Sequence, residues 1–254
     1  MSWFLNKADT IHKTDDWDFY LCQVDSAPAS IFLDLGQKDR APVKGVPLMC
    51  YVRVFMKMPR EDGLSSNDEY QTLNIIEDSL EKEIGNKAVY VGRVTTAGRR
   101  DFVFYAKDFA AFEKAANKAM LRSPEYEYEL GFKEDKDWSV YLGFMYPDAR
   151  SLRNIMDRRV LESLKDHGDD LAVPRNLDHR VYFDCINDAK AFEKEVVAKG
   201  YSIESGNHEP DESSVFVDFY KKAAPQDIND IIDELLPLVE HCRGDYDGWG
   251  CEVA

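Results

Sequence analysis

Between residues 46 and 132, patterns typical of strands and helices alternate in the order β-α-β-β-α-β. Strands are predicted over residues 46–58, 87–95, 101–105 and 126–132. The first helix is predicted to start at a capping box formed by Ser66 and Glu69 and to end at Gly85. The second is predicted after Asp108, a residue type that caps helices. This order is that of the ferredoxin-like fold, an antiparallel sheet with helices on one side.

The same order of patterns returns in the last third of the chain. Strands are predicted over residues 180–185, 201–205, 215–220 and 246–253, and helices over 189–199 and 226–242. A short repeat supports a shared architecture, because Asp108-x-x-Ala111-Phe112-Glu113-Lys114 matches Asp188-x-x-Ala191-Phe192-Glu193-Lys194. In both copies we expect a strand, a helix cap and a helix. We therefore predict an α+β protein with two ferredoxin-like α/β sandwich domains, each built on an antiparallel sheet.

Further elements flank these two units. Residues 17–24 and 30–35 alternate as strands do, with a turn around Ser26-Ala27-Pro28 between them. Residues 138–145 also alternate and follow an acidic turn, so a strand is predicted there. Apolar residues at helical spacing predict a helix over residues 152–164. The break at Tyr146-Pro147-Asp148 marks the predicted domain boundary, which gives domains of residues 1–147 and 148–254.

The chain is strongly acidic, and the acidity is concentrated in the second domain. The net charge is −16, and residues 151–254 hold 12 basic and 23 acidic residues. A negative surface repels nucleic-acid phosphates and attracts basic proteins. Taken alone, however, the charge favours simple solubility, since many acidic proteins bind nothing because of their charge. If the protein has a macromolecular partner, the charge favours a protein over a nucleic acid.

The sequence lacks the common catalytic and metal-binding patterns. It has no glycine-rich nucleotide-binding motif, no nucleophile elbow and no His-Glu-x-x-His pattern. The five cysteines are dispersed and include no Cys-x-x-Cys pair. Asp245-x-Asp247-Gly248 resembles the start of a calcium loop but lacks its later glutamate. We expect no catalytic residue, no metal and no cofactor.

Two patterns bear on location. The segment Met1-Ser2-Trp3-Phe4-Leu5-Asn6-Lys7 is followed by charge and lacks the apolar core of a secretory signal. No apolar run approaches the roughly 20 residues that cross a bilayer. The sequence therefore predicts a cytoplasmic protein that does not contact membranes.

The most distinctive segment is Asp245-Tyr246-Asp247-Gly248-Trp249-Gly250 near the C-terminus. One interpretation is a final strand with Trp249 in the core, since exposed tryptophans are uncommon. The other is an aromatic anchor for a partner, because flanking glycines let another chain approach closely. Both can hold if Tyr246 and the two aspartates face outward from that strand. Asp245, Tyr246, Asp247 and Trp249 are therefore the candidate partner-binding residues.

The sequence resembles two known families. The second domain resembles the RraB family, whose members are regulators of ribonuclease E with a ferredoxin-like fold. The resemblance covers about residues 150–254. It is carried by four motifs: Leu164-Lys165-Asp166-His167-Gly168-Asp169-Asp170, Arg180-Val181-Tyr182-Phe183, Gly200-Tyr201 and Asp245-Tyr246-Asp247-Gly248-Trp249-Gly250. The first domain resembles the domain-of-unknown-function family numbered six hundred and ninety-five, through Val91-Gly92-Arg93, Gly98-Arg99-Arg100-Asp101-Phe102 and Asp137-Trp138-Ser139-Val140-Tyr141. The RraB resemblance implies a non-catalytic inhibitor whose partner is ribonuclease E or another RNA-processing protein.

Other functions remain open. An enzyme could use Arg93, Arg100 and scattered carboxylates in a groove between the domains. A structural module could form homo-oligomers through its sheet edges. Arg93, Arg99 and Arg100 form the one small basic cluster of the first domain; a solvated hairpin tip explains it, and contact with a phosphate or an acidic partner is the alternative.

Overall fold

The computed structural model describes residues 14–207 and 215–254. The segment 1–7, for which no secretory signal is expected, lies outside these ranges. The chain divides into two compact units after Leu152. The break predicted from Tyr146-Pro147-Asp148 lies shortly before this division. Within the described residues, no helix is long and apolar enough to cross a membrane.

The first unit is built on a six-stranded antiparallel sheet in the order β1-β2-β4-β5-β3-β6. Its strands are β1 (Trp17–Val24), β2 (Ala27–Asp34), β3 (Leu48–Phe55), β4 (Ala88–Thr96), β5 (Arg99–Ala106) and β6 (Tyr128–Glu134). Its helices are α1 (Asn67–Ile84) and α2 (Phe109–Met120), with short 3-10 turns at Leu35–Asp39 and Gly85–Lys87. Strands β3 to β6 with α1 and α2 reproduce the predicted ferredoxin-like order.

The β1–β2 hairpin extends this sheet beyond β4. Its turn is Asp25-Ser26, with φ of 50° and 67°, so it lies one residue earlier than the sequence predicted. Both helices pack over β3, β4 and β5, and an apolar core lies between them and the sheet. No β2 residue belongs to that core, and Trp17 of β1 only packs against it. On the face of the sheet that carries the helices, the β1–β2 hairpin therefore extends beyond α1.

The helix caps follow the sequence closely. The Ser66 hydroxyl accepts from the Glu69 amide at 3.4 Å, and Asp108 accepts from the Ala110 amide at 3.0 Å. The capping box is only half formed, because the Glu69 carboxylate instead accepts from the amides of Lys57 at 2.6 Å and Met58 at 3.0 Å. Glu69 thereby fixes the end of β3 against the start of α1.

The strand predicted over residues 138–145 is wrong. The chain forms a helix with π-type hydrogen bonds over Val140–Met145. Asp135 starts it by accepting from the amides of Ser139 at 2.8 Å and Val140 at 2.9 Å. The buried residues are Trp138, Tyr141 and Met145. They are three and four positions apart, which is the spacing of a helix face and not the period of two on which the strand prediction depended.

The second unit contains a four-stranded antiparallel sheet in the order β10-β7-β9-β8. Its strands are β7 (Arg175–Phe183), β8 (Ser202–Asn207), β9 (Val215–Ala223) and β10 (Gly244–Gly250). Its helices are α4 (Ile186–Ala198) and α5 (Ile228–His241), preceded by a 3-10 turn at Pro225–Asp227; α3 (Ala149–Asp166) runs from the first unit into the second. The element order and strand order are again ferredoxin-like.

Two details of this unit differ from the sequence prediction. Strand β7 begins at Arg175, five residues before the predicted start, because Leu177 and His179 alternate into the core. Helix α4 begins at Ile186, so Asp188 lies in its first turn and pairs with Arg243 rather than capping the helix. The repeat therefore marks equivalent helices whose starts differ.

Candidate functional site

Strand β10 carries the candidate residues and is an edge strand of the second sheet, paired on one side with β7. The pairing contains a bulge, because Tyr246 lies opposite Val181 while Gly248 lies opposite Arg180, which leaves Asp247 without a partner in the ladder. Gly248 has a φ of +142°, which other residues rarely adopt. The bulge matters because side chains normally alternate between the faces of a strand.

The bulge brings Tyr246 and Trp249 to the same face. Trp249 lies opposite His179, and Tyr246 opposite Val181, and both of these β7 residues are buried. Tyr246 and Trp249 accordingly pack against the core of the second unit. The interpretation that required Tyr246 to face outward with the two aspartates is therefore wrong. A regular strand would have placed the two aromatic residues on opposite faces.

The Tyr246 hydroxyl lies 2.8 Å from Nδ1 of His179. His179 is buried, and burial lowers its pKa to about 4, so the ring is neutral near neutral pH. Burial raises the pKa of Tyr246, so its hydroxyl stays protonated. On its other side the Tyr246 ring meets the Arg153 guanidinium, whose carbon lies 5.5 Å from the ring centroid.

The indole of Trp249 donates from Nε1 to Oδ1 of Asp157 on α3 at 2.9 Å. Asp157 is 5% exposed, and this burial raises its pKa to about 6, although Trp249 and Arg153 both lower it. A buried carboxyl that accepts from an indole joins the end of the chain to α3. Trp249 thus combines partial burial with a specific polar contact.

The segment after β10 is held by a second buried carboxylate. Asp169 pairs with Nη2 of Arg175 at 2.7 Å and accepts from the Ala254 amide at 2.7 Å. The Ala254 amide and Arg175 keep the pKa of Asp169 below its usual range. Asp169 belongs to the motif Asp166-His167-Gly168-Asp169-Asp170, which the structure uses as a helix end and turn, with Gly168 at a φ of +82°.

Asp245 and Asp247 are exposed on β10. Asp245 lies opposite Tyr182, on the sheet face turned away from the core, and Asp247 projects at the bulge. The structure thus separates the four candidates into two pairs. Tyr246 and Trp249 point toward α3 and the core, and the two aspartates point toward solvent.

The sheet face that carries Asp245 has Arg180 at its centre. Arg180 forms a bidentate pair with Asp218, with Nε–Oδ1 at 2.6 Å and Nη2–Oδ2 at 2.8 Å, and its guanidinium carbon lies 4.5 Å from the Phe216 ring centroid. A shallow pocket of about 400 Å³ surrounds it; its lining includes Asp178, Glu204, Asp218, Asp247 and Gly250. Arg180 is already paired, so this face presents a surplus of carboxylates.

Sequence reasoning did not find three of the residues that build this site. His179, Asp157 and Arg153 come from β7 and α3, so their proximity to β10 depends on tertiary packing. The sequence signal for His179 was its place in the alternation of Leu177, His179 and Val181. No group of three or more metal-ligating side chains occurs among the described residues.

Comparison with known families follows the two units. Residues 15–146 match the family described as "Family of unknown function (DUF695)". The chain belongs to this family. Residues 154–251, which contain Asp157, His179 and the whole of β10, match the family described as "Regulator of ribonuclease activity B", RraB. The arrangement that the sequence motifs suggested, an N-terminal domain of unknown function and a C-terminal RraB domain, is confirmed.

No curated protein matches the chain. Among solved structures, a match is the "Crystal Structure of an Unknown Protein from Galdieria sulphuraria", with 12% sequence identity and a TM-score of 0.22. The match covers 81% of this chain and 99% of that one. A TM-score this low establishes no shared fold, so the architecture rests on the strand order described above.

Proposed function

We propose that the RraB domain makes this protein a non-catalytic, protein-binding regulator of RNA turnover in the cytoplasm. The observation that carries the proposal is the match of residues 154–251 to a family whose description names regulation of ribonuclease activity. The partner proposed is ribonuclease E or another RNA-processing protein, and nucleic acid is not contacted directly. The regulator acts by occupying a surface of the enzyme and performs no chemistry of its own.

The contact surface proposed is β10 with the sheet face beside it. An edge strand offers backbone groups that another chain can pair with. Asp245 and Asp247 are exposed there and suit arginine or lysine side chains of the partner. Tyr246 and Trp249 hold the strand in place through their contacts with His179 and Asp157. Because both are only partly buried, their remaining surface is open to the partner.

Charge supports a basic partner surface. Residues 151–254 carry nearly twice as many acidic as basic residues, and Arg180, in the middle of this face, is neutralised by Asp218. Complementary charge mainly speeds encounter and adds salt dependence, while buried aromatic contacts set the dissociation rate. The two pairs of candidate residues should therefore affect different rate constants.

The proposal is tested by measuring binding of the full chain to purified ribonuclease E by surface plasmon resonance, with RNA cleavage measured in parallel. The double variant Asp245→Asn, Asp247→Asn should lower the association rate about tenfold and flatten its salt dependence. The control Asp230→Asn, Glu240→Gln removes the same charge from exposed positions on α5. If wild type neither binds ribonuclease E nor changes its cleavage, that partner is wrong.

Affinity capture from a host lysate extends the test to other RNA-processing proteins, with a variant lacking residues 150–254 as the control. A ribonuclease retained by wild type and lost by the truncated chain supports the proposal. The proposal is wrong if neither wild type nor the truncated chain captures a protein. If light scattering then shows a dimer that Asp245→Asn, Asp247→Asn disrupts, the β10 edge serves self-association instead.

A further inference from the structure

The first unit contains a cleft with a volume of about 720 Å³. It lies on the side of the six-stranded sheet that carries the helices, between α1 and the β1–β2 hairpin. The volume falls within the range of small-molecule sites, roughly 300–1,000 Å³. Nothing in the match to a family of unknown function assigns a role to it.

Helix α1 supplies one wall through a stripe of residues separate from its core face. The stripe has helical spacing and consists of Tyr70, Asn74, Glu77, Asp78 and Glu81. Tyr70 lies three residues before the buried Leu73, but it is 45% exposed and lines the cleft. Strand residues that share one face of the sheet form the floor: Ser30, Phe32, Arg93, Thr95 and Arg100.

The deepest charged groups of the cleft are two arginines and one glutamate. The Arg93 side chain is 12% exposed and forms an ion pair through Nη1 with Oε2 of Glu77, which is also buried. The other oxygen of Glu77 accepts from the Tyr90 hydroxyl at 2.7 Å. Both oxygens of Glu77 are therefore engaged, and its negative charge is matched by Arg93.

Arg100 is 2% exposed, and the partners to which it donates hydrogen bonds within residues 14–207 and 215–254 are uncharged. Nε donates to the Thr95 hydroxyl at 3.0 Å, Nη1 to the Asn74 amide oxygen at 3.3 Å and Nη2 to the Ser65 hydroxyl at 3.4 Å. Burial and the nearby Arg93 lower the pKa of Arg100 to about 10, so it is still charged at neutral pH. A buried charge that lacks a counter-ion is costly, and an anion in the cleft would supply one.

The cleft also has a continuous aromatic lining. Trp17 stacks on Phe32 with ring centroids 5.2 Å apart, and the Arg93 guanidinium carbon lies 4.3 Å from the Phe32 centroid. Phe19 and Leu21 are 42% and 66% exposed and line the outer part with Tyr70. Exposed apolar side chains of this size, gathered around a buried cation, are typical of ligand-binding surfaces.

We propose that this cleft binds a small aromatic monoanion. Its carboxylate, or an equivalent anionic group, pairs with Arg100, and its ring packs against Phe32, Trp17 and Tyr70. A single negative charge is favoured because the inner cleft has an excess of one positive charge. The exposed Asp78 at the rim would repel a more highly charged molecule such as a nucleoside triphosphate.

The probe proposed is 2-naphthoate, a planar aromatic carboxylate, with 2-naphthamide as a neutral ligand of the same shape. Isothermal titration calorimetry on the full chain should show that the carboxylate binds at least about tenfold more tightly than the amide, because only the carboxylate forms a charge-assisted pair with Arg100. This comparison uses wild-type protein alone, so it does not depend on the folding of any variant. Equal affinity for the two ligands would overturn the proposal.

Variants then locate the site. Arg100→Met should weaken naphthoate binding about tenfold or more and remove its preference over the amide, while Arg100→Lys should retain part of that preference. The matched control is Arg99→Met on the same hairpin, because alternation places Arg99 on the opposite face of the sheet. Unchanged binding in Arg100→Met, or an equal loss in Arg99→Met, would show that the anion binds elsewhere. Failure of wild type to bind naphthoate at millimolar concentration would refute the aromatic monoanion.

Discussion

Two buried groups beside β10 should make the stability of the RraB domain depend on pH in opposite directions. The pKa of Asp157 is about 6 in the folded protein, and that of His179 is about 4. In unfolded chains the corresponding values are about 3.9 and 6.5. A shift of one pKa unit corresponds to about 1.4 kcal/mol, so each group contributes about 3 kcal/mol to the pH dependence of unfolding.

The signs follow from which state holds the proton. Folded Asp157 keeps its proton up to about pH 6, whereas the unfolded chain loses it near pH 4; this contribution is complete below about pH 4 and is lost as the pH rises through 6. Folded His179 stays neutral down to about pH 4, so its contribution is complete above about pH 6.5 and is lost as the pH falls through 4. Between these limits the two effects of wild type offset one another.

Asp157→Asn separates them. The amide oxygen can still accept from Trp249 Nε1, but the group no longer ionises. The difference in free energy of unfolding, variant minus wild type, should therefore increase by about 3 kcal/mol when the pH is raised from about 4 to 7. His179→Gln, which retains a hydrogen-bonding group for Tyr246, should change in the opposite direction over the same range.

The measurement is urea unfolding followed by fluorine NMR of protein labelled with 5-fluorotryptophan. Trp249 is the only tryptophan after Leu152, so its folded and unfolded signals report the second domain alone. Its signal is assigned from Trp249→Phe. If the difference between Asp157→Asn and wild type is the same at about pH 4 and pH 7, Asp157 does not titrate as described and the reasoning is refuted.

Three further predictions concern the same structural features. Trp249→Phe keeps ring packing but leaves Asp157 without its donor, so the free energy of unfolding of the second domain should fall by about 1–3 kcal/mol. Because this variant lacks the Trp249 signal, its urea unfolding is followed by the amide NMR signals of the second domain, and an unchanged midpoint would contradict the prediction. Deletion of Asp247 removes the bulge and shifts Trp249 to the other face, so tryptophan emission should move to longer wavelength. Arg100→Met should leave the thermal midpoint of the first domain unchanged or raise it, since a buried charge without a counter-ion is removed; a large fall would mean that Arg100 is chiefly structural.

Much of the fold could be predicted from local patterns. Ser66 and Asp108 cap the helices they were expected to cap, and both β-α-β-β-α-β units form with the ferredoxin-like strand order. These elements are predictable because their signals, capping residues and apolar spacing, lie within a few residues of each other. The strand predicted over residues 138–145 was wrong because alternation and helical spacing coincide over so short a segment.

The sequence was enough to predict which segment forms the candidate site, but not the directions in which its side chains point. The sequence identified residues 245–249, yet the direction of Tyr246 depends on the bulge at Asp247, which only the pairing with β7 reveals. Gly248 was a usable signal, because an isolated glycine within a strand often marks a bulge. The contribution of Asp157 could not be seen, since 92 residues separate it from Trp249.

The bulge also explains how one short strand can be both fixed and accessible. With regular alternation, Tyr246 and Trp249 would lie on opposite faces, and one of them would have to leave His179 or Asp157. The extra residue at Asp247 lets both aromatic side chains reach buried partners while the two aspartates stay in solvent. Because the backbone is thereby anchored at two points, the two carboxylates are presented at fixed positions, which reduces the conformational entropy lost when a partner binds.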